Sequence, residues 1–319
     1  EQMHEVMPQI EKETGVKIRL LVAIRRIPLT IIKDEKTSSN YLRENIDVLK
    51  AIAKSPYVTG SDFIGEEIND ISELQPAIKE IVRYVVEEDP NFTIRIHAGE
   101  NDSLRENVEK SIDCILNSLK PGEKIPNFRL GHGLYTQDLN SEKGKELIKK
   151  MKKTGAVLEF QLTSNVRLNN LSNIEKHPLK TYLKNDIKCV QGTDGCGFYG
   201  TDTIDEQLAL QNLLNLNDDD FAKMREVEEE IEKRNEKYFI EKSKKFEKFL
   251  NGRTIEEAIT AEEIKYEEES KNKKMDLRIR TGVSSEEVLK DKISELPTDK
   301  VPIIIAGGSF NAQGRETVL

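Results

Sequence analysis

Six short apolar runs alternate with longer polar segments between residues 16 and 200, and this pattern constrains the fold more than any other feature of the sequence. The apolar runs are rich in β-branched residues, whereas the segments between them, such as "DSLRENVEKSIDCILNSL", have helical spacing. The runs cover residues 16–24, 57–64, 92–96, 128–130, 156–162 and 187–190. Such alternation is typical of parallel strands with helices packed outside them, so we predict an α/β fold.

Polar residues and a glycine follow the predicted strands. They are, in order, Arg25, Gly65, His97, His132, Ser164 with Asn165, and Asp194. Active-site residues of a (β/α)8 barrel lie at the C-terminal ends of its strands, so this placement favours a TIM-type barrel over an open doubly wound sheet. A barrel has eight strands and the pattern shows six, so we expect the first strands of the barrel to be absent from this chain.

The sequence changes character after about residue 205. One long charged helix is predicted over residues 218–250, with aspartates at its start, lysines near its end and Gly252 as its stop. Its charged faces are interpreted either as solvated surface or as an arm that binds a partner. The expected parts of the chain are a partial barrel over 1–215, a charged helical extension over 216–297 and the start of a further α/β segment over 298–319.

A strand followed by a glycine-rich turn is predicted near the end of the chain, in VPIIIAGGSFNAQG at 301–314. A glycine-rich turn that opens a helix can bind phosphate. This segment has neither the GxGxxG nor the GxxxxGK[ST] spacing, so a purely structural turn is the favoured interpretation. A helix with a capping box formed by Ser284 and Glu287 is expected before it.

The chain is acidic, since 49 Lys and Arg stand against 58 Asp and Glu, for a formal net charge of −9. Negative charge repels a phosphate backbone, so broad nucleic-acid binding is not expected. The three cysteines, Cys114, Cys189 and Cys196, have no CxxC spacing, which is typical of a reducing compartment. The sequence shows neither an apolar run long enough to span a membrane nor a signal-peptide pattern, so a cytoplasmic protein without membrane contact is expected.

Three residues that can bind a metal ion follow predicted strands in similar contexts: His97 in IHAGE, His132 in LGHGL and Asp194 in VQGTDG. One such residue alone would most simply be structural, but three in one alternating domain favour a functional site. Imidazole and carboxylate are ligands of Zn²⁺, which lowers the pKa of a bound water to about 7. Glu100 would then hold and deliver a proton, while the two small residues before it leave room for a flat substrate.

Taken together, these motifs resemble those of the adenosine deaminase family, in the family's order, over about residues 1–215. The resemblance rests on HAGE at 97–100, LGHG at 130–133, TSN at 163–165, HPL at 177–179 and GTD at 192–194. In addition, GSDFIGEE at 60–67 is similar to the family's DLAGDE segment, and IRLLVAIRR at 18–26 is similar to its third-strand region. Each motif alone would be weak, whereas the ordered set is specific.

The resemblance implies a TIM barrel that binds one zinc ion per site and replaces the 6-amino group of a purine by a keto group. It implies His97 and Asp194 as metal ligands, and Glu100 as the acid that protonates purine N1 while hydroxide attacks C6. His132 would orient and deprotonate the metal-bound water, and Asp194 would also hold that water. The backbone of Gly65 would contact purine N3.

The chain departs from the family pattern at two places. The family's HxH pair of metal ligands, on its first strand, does not occur in the sequence, as expected if the first strands are absent. Gly195, which we place with Gly65 at the substrate-binding site, stands where the family has a second aspartate that contacts purine N7, so the base would be held in another way or the substrate would differ. The glycine-rich loop GTDGCGFYGTD at 192–202 suggests room for a larger substrate, such as a phosphorylated adenosine.

The charged helical arm and the extra C-terminal segment also resemble the RADAR-type antiviral deaminases, which act within large assemblies. The leading interpretation is a zinc-dependent enzyme that deaminates adenosine or an adenine nucleotide (AMP or ATP), as a homo-oligomer or within a larger antiviral assembly. One alternative is a catalytically inactive barrel kept as a scaffold or subunit, which the missing HxH and Gly195 favour. Another is a metal hydrolase of the same superfamily that acts on a cyclic amide or ester, although the sequence places no lysine suited to bridge two metals at a predicted strand end.

Overall fold

In the part of the chain that the structure describes, six strands form one parallel sheet whose spatial order is the same as their order in the sequence. The computed structural model describes residues 2–26, 35–168, 171 and 173–272. The strands are β1 (Leu20–Arg25), β2 (Val58–Ile64), β3 (Thr93–Ala98), β4 (Phe128–His132), β5 (Val157–Phe160) and β6 (Lys188–Gln191). A doubly wound sheet reverses its strand order at a switch point, whereas a (β/α) barrel keeps the order of the sequence. The predicted α/β alternation and the barrel-type fold are confirmed.

Helices alternate with the strands along the chain. In the described residues they are α1 (Gln2–Thr14), α2 (Glu35–Ile52), α3 (Gln75–Glu87), α4 (Asn107–Asn117), α5 (Glu142–Thr154), α6 (Leu162–Arg167), α7 (Leu179–Lys184), α8 (Cys196–Tyr199), α9 (Thr203–Leu214), α10 (Asp218–Leu250) and α11 (Ile255–Asn272). Local residues set their ends. At α5 the Ser141 hydroxyl accepts a hydrogen bond from the Gly144 N–H, and Gly155 ends the helix with a φ of 69°.

The two faces of the sheet carry different kinds of residue. One face has an apolar row that crosses four neighbouring strands and packs into the main core with the helices. The row consists of the paired, fully buried residues Phe63, Ile96, Leu130 and Leu158. Because successive side chains of a strand point to opposite faces, the intervening Asp62, Arg95 and Glu159 lie on the other face, toward the interior of the barrel.

The long charged helix is confirmed as α10, which packs under the N-terminal ends of the strands. Asn217 begins it and forms a capping box with Asp220. The helix ends at Leu250, followed by Asn251 with a φ of 49°, so the left-handed stop lies one residue before the expected Gly252. Asparagine tolerates this conformation better than most residues do, which explains why it replaces glycine as the stop.

The sheet and α10 belong to one compact unit, residues 1–262. The charged extension expected from residue 216 therefore begins with a helix that is packed against the barrel. The helix capped at Ser284 and the glycine-rich segment 301–314 lie outside the described residues. Across the described ranges, each helix is too short or too polar to cross a lipid bilayer.

Candidate active site

Two of the predicted residues meet where β3 and β4 reach their C-terminal ends. His97 pairs with Gly131 and His132 ends the neighbouring strand, so the centroids of the two imidazole rings lie 5.1 Å apart. His132 has a φ of 73° and Gly133 a φ of 57°, so the chain leaves β4 through the left-handed region. The sheet register therefore brings these two side chains to one edge of the barrel.

Glu100 follows β3 and faces His132. Its Oε2 lies 3.6 Å from His132 Nε2, and both side chains are largely buried. Burial raises the pKa of the Glu100 carboxyl; His97 opposes this effect and the negative charge of Asp194 adds to it. Burial also lowers the pKa of His132 well below its usual range, helped by the charge of His97. The pair thus combines a carboxyl whose pKa is raised with an imidazole whose pKa is lowered.

Helix α6 presents two buried polar residues to the site. Asn165 Nδ2 lies 3.2 Å from His132 Nδ1, so this amide helps to decide which nitrogen of the neutral ring keeps the proton. Ser164 Oγ donates a hydrogen bond of 2.6 Å to Asp194 Oδ2. Asp194 is exposed and follows β6 with a φ of 54°. The structure thereby joins the ends of β4, β5 and β6 to the same site.

The segment after β5 differs from its prediction. The strand predicted over 156–162 ends at Phe160, and the residues that follow form α6. The carboxylate of Glu206, which is fully buried, accepts hydrogen bonds from the N–H groups of Leu162 and Thr163. These N–H groups lie in the first turn of the helix, where they have no partner within the helix, so the acceptor stabilises a helix start at this place.

A buried ion network connects β2, β3, β4 and β5 beneath His97, and its residues were not among the predicted site residues. Arg95 contacts Asp62 Oδ2 through Nη1 and Glu159 Oε2 through Nε, each at 2.5 Å. Arg129 contacts the other oxygen of Glu159 at 2.6 Å, and Asp62 Oδ1 lies 3.1 Å from His97 Nδ1. Burial alone would raise the pKa of Asp62, but the hydrogen bonds and charges of His97 and Arg95 lower it.

The HAGE loop is held by a second residue that the motifs did not single out. Glu67 is only 2% exposed and accepts hydrogen bonds from the N–H groups of Gly99, Glu100 and Asn101. It lies in the GSDFIGEE segment, directly after β2. The sequence signal for it is an acidic residue beside a strand end, which is too common to have distinguished it from its exposed neighbour Glu66.

Gly65 and Gly195, predicted to contact the substrate, lie in turns after β2 and β6. Gly65 has a φ of 107°, which glycine adopts without strain. A Cβ at Gly195 would lie 3.2 Å from Phe198 Cδ2 and 3.3 Å from Tyr199 Cε2, so a side chain there would displace one of these rings. The contacts of both glycines with a substrate stay predictions.

His97 and Asp194 are of the right kind to bind zinc, as an imidazole and a carboxylate. Among the described residues, however, no group of three or more His, Cys, Asp or Glu side chains is arranged to hold a metal ion. His97 also directs both ring nitrogens at polar groups, with Nδ1 3.1 Å from Asp62 Oδ1 and Nε2 3.4 Å from Arg95 Nη1. A catalytic zinc site takes three protein ligands, so the described residues do not complete one.

The family model for adenosine deaminase matches residues 1–232 of this chain. The chain belongs to the adenosine deaminase family. It is 34% identical over 164 residues to the adenosine deaminase of Plasmodium gallinaceum, which covers 51% of this chain and 41% of that protein. It is 33% identical over 129 residues to the adenosine deaminase of Clostridium kluyveri, covering 40% and 32%. The matches thus span less than half the length of these relatives, and the resemblance drawn from the ordered motifs is confirmed.

Solved structures share the fold. The adenine deaminase of Arthrobacter aurescens aligns with a TM-score of 0.53 and 17% identity, over 76% of this chain and 65% of that one. The N6-mAMP deaminase of Arabidopsis aligns with a TM-score of 0.51 and 19% identity, over 76% and 66%. At such identities the likeness concerns the fold, and it agrees with the barrel-type strand order described above.

Proposed function

We propose that this chain carries the acid–base part of an active site that hydrolyses the 6-amino group of adenosine, or of an adenine nucleotide, to a keto group. The observation that supports the proposal is the pair of Glu100 and His132, a buried carboxyl 3.6 Å from a buried imidazole at the ends of adjacent strands. Hydrolytic deamination needs an acid for the purine ring and a base for the attacking water. The shifted pKa values of the pair suit these two roles.

In the proposed reaction Glu100 donates its proton to purine N1 while a water molecule adds to C6. His132 takes the proton that the water loses as the new C–O bond forms. The proton then passes from His132 to the amino group, the C6–N bond breaks and ammonia leaves. As the keto group forms, the remaining hydroxyl proton on C6 passes to the Glu100 carboxylate, which restores the acid. The overall change consumes one water and yields the inosine form and ammonia. Asn165 would keep the His132 ring in position during both proton transfers.

Zinc dependence is part of this proposal. His97 and Asp194 would supply two of the ligands, and the bound ion would lower the pKa of a water molecule to about 7. Ser164 already donates a hydrogen bond to Asp194 Oδ2, which fixes the direction of that carboxylate. At least one further protein ligand would be needed beyond these two residues.

The proposal covers a class of substrates and not one molecule. The relatives named above include an adenosine deaminase, an adenine deaminase and an N6-mAMP deaminase, so both nucleosides and nucleotides lie within the proposal. Gly195 supplies no side chain to purine N7, so the base would be held mainly by its contacts with Glu100 and with the backbone at Gly65. Cytoplasmic location, oligomer formation, an antiviral assembly and the lack of nucleic-acid binding stay predictions.

The test is ammonia release by the full-length protein, supplied with zinc, from adenosine, deoxyadenosine, AMP and ATP side by side. Release from at least one of them is expected. Release from the nucleotides but not from adenosine would assign the nucleotide-specific activity. If the protein binds zinc and releases no ammonia from any of the four, the proposed function is wrong.

A further inference from the structure

The carboxylate of Glu67 is the common acceptor for three consecutive N–H groups of the HAGE loop. Its Oε1 accepts from the Gly99 N–H at 3.0 Å, and its Oε2 accepts from the Glu100 and Asn101 N–H groups at 2.7 and 2.9 Å. Hydrogen bonds to an ionised acceptor are stronger than those between neutral groups. The loop leaves the sheet at Ala98, so its N–H groups no longer have acceptors in a neighbouring strand. The Glu67 carboxylate supplies these acceptors.

The carbonyl groups of the same loop are satisfied from other directions. Their donors are the Arg26 Nη1 for His97, the Gly133 N–H for Ala98 and the Tyr135 N–H for Gly99, at 3.1, 2.9 and 2.7 Å. A Cβ at Gly99 would lie 2.7 Å from the Tyr135 carbonyl oxygen, so the loop has no room to shift toward β4. The main chain that carries Glu100 is therefore held on both sides.

Glu67 is itself held in place. Asn107, near the start of α4, donates from Nδ2 to Glu67 Oε1 at 2.8 Å, and its Oδ1 accepts from the Ile71 N–H at 3.0 Å. Both Glu67 and Asn107 are almost completely buried. Each of these hydrogen-bonding neighbours of the Glu67 carboxylate is a donor, so a glutamine amide at this place would direct its own N–H groups at other N–H groups. The site requires the charge and not only the shape of this side chain.

We propose that Glu67 is a positioning residue of the active site, which fixes the main chain at Glu100 and thereby the place of its carboxyl opposite His132. The catalytic consequence rests on the proposed function, whereas the hold on the loop does not. A misplacement of about 1 Å at a catalytic group reduces turnover by about 100-fold. Loss of the carboxylate should therefore reduce kcat while the enzyme stays folded.

The decisive experiment is amide hydrogen exchange at Gly99, Glu100 and Asn101 in the full-length protein, comparing wild type with Glu67→Gln. The matched control is Glu66→Gln, which changes the exposed neighbour in the same way. We expect exchange at these three amides to be at least about tenfold faster in Glu67→Gln, because a local hydrogen-bonded unit opens more readily when its acceptor is removed. The control should match wild type.

Turnover is measured on the same proteins. We expect Glu67→Gln to lower kcat by about 100-fold with little change in KM, since a displaced acid weakens the transition state more than ground-state binding. Glu67→Asp keeps the charge on a side chain that is shorter by one methylene. Its exchange rates and its kcat should lie between those of wild type and Glu67→Gln. A residue needed only for folding would not lower kcat while leaving KM nearly unchanged.

Unchanged exchange at the three loop amides of Glu67→Gln would overturn the inference. If the Ile94 and Ile96 amides of β3 also exchange faster, the variant has lost its fold and Glu67→Asp decides the question instead. Faster exchange confined to the loop in that variant supports the inference, and uniform or unchanged exchange overturns it. If the loop amides respond as expected and wild type releases no ammonia, the hold on the loop stands and the proposed deamination is wrong.

Discussion

Buried polar groups at the N-terminal end of the sheet pair donor with acceptor, whereas at the C-terminal end a buried acid and a buried imidazole face each other at 3.6 Å. At the N-terminal end, Tyr238 donates to Asp89 at 2.6 Å and Lys242 donates to the Val58 carbonyl. We call Asp89, Tyr238 and Lys242 the closing cluster, since α10 carries two of its members across the strand starts. Each member is at most 8% exposed.

The difference separates two uses of a buried polar group. In the closing cluster each donor lies within hydrogen-bond reach of an acceptor, which fixes the position of α10 and adds to stability. The Glu100–His132 pair lies just beyond such reach, and both groups have shifted pKa values, so they can exchange protons with a molecule placed between them. Substitutions at the two ends should therefore have different effects.

Glu100→Gln is expected to have the largest effect on activity. Without a proton donor for the purine ring, turnover should fall by about 1,000-fold, while thermal unfolding stays at the wild-type temperature or above it. Ammonia release and a thermal melt measure the two quantities. The exposed Glu106→Gln is the control and should retain activity. Normal turnover in Glu100→Gln would show that the Glu100–His132 pair does not have the proposed role in proton transfer.

Arg95→Met should affect both activity and stability, because Arg95 lies beneath the site inside the sheet. Its loss leaves Asp62 and Glu159 as buried carboxylates without their shared counter-charge, which costs about 3–5 kcal/mol of unfolding free energy. Denaturant titration measures the change. Arg105→Met, which removes an exposed pair with Asp102, should cost less than about 1 kcal/mol. Equal costs for the two variants would show that the ion network does not stabilise the sheet.

Tyr238→Phe tests the closing cluster alone. It removes a hydrogen bond to a buried carboxylate, so the free energy of unfolding should fall by about 1.5–3 kcal/mol. Turnover per folded molecule should stay at the wild-type level. Tyr84→Phe makes a smaller change at the same acceptor, because its hydroxyl lies 3.4 Å from Asp89 Oδ2. If fully folded Tyr238→Phe loses turnover, the closing cluster affects activity as well as stability, and the proposed difference between the two ends of the sheet is wrong.

The pH dependence of stability should show the smallest effect. Burial lowers the pKa of Lys242 from 10.5 to about 8, against the opposing charge of Asp89. Below pH 8 both the folded and the unfolded chain hold the proton, so this group gives no slope there. Between pH 8 and 10 the unfolded chain binds more protons at Lys242, so this group alone contributes a rise in stability of up to about 1.4 kcal/mol per pH unit. Above pH 9 the buried thiols of Cys114 and Cys189 contribute in the opposite direction, because burial raises the pKa of each and the folded chain then keeps their protons.

Denaturant titrations at pH 8, 9 and 10 measure this slope in wild type, Lys242→Met and the exposed control Lys244→Met. The slope of the first variant should lie below the wild-type slope by the contribution of Lys242, and the control should have the wild-type slope. Above pH 10 the raised pKa of Tyr238 also makes stability fall with pH, because the folded chain then holds the extra proton. An unchanged slope in Lys242→Met would show that this lysine does not make the expected contribution.

Much of the fold could be predicted from local patterns. The strand runs were recognisable because a buried parallel strand is a short apolar run bounded by polar residues, and His97 and His132 then had to lie at one edge. The end of β5 could not be predicted, because it depends on the Glu206 carboxylate, which follows it in the sequence by more than 40 residues. Pattern alone does not reveal such a distant acceptor.

The supporting residues of the site were missed for a related reason. Asp62, Arg95 and Glu159 each interrupt an apolar strand, and a buried charge requires a partner, so the strand interruptions were a usable signal. Which charges pair depends on the register between strands, which the single sequence does not supply. Glu67 gave no signal of this kind, since its partners are main-chain N–H groups that any sequence would offer.

The position of α10 also has a consequence for synthesis on the ribosome. Its Lys242 contacts the carbonyl of Val58 at the start of β2, a residue made far earlier. At about 5–20 residues per second, this helix arrives on the order of 10–40 s after β2. During that interval α10 does not yet cover the N-terminal ends of the strands. The growing chain therefore presents a surface that a chaperone can occupy until the helix displaces it.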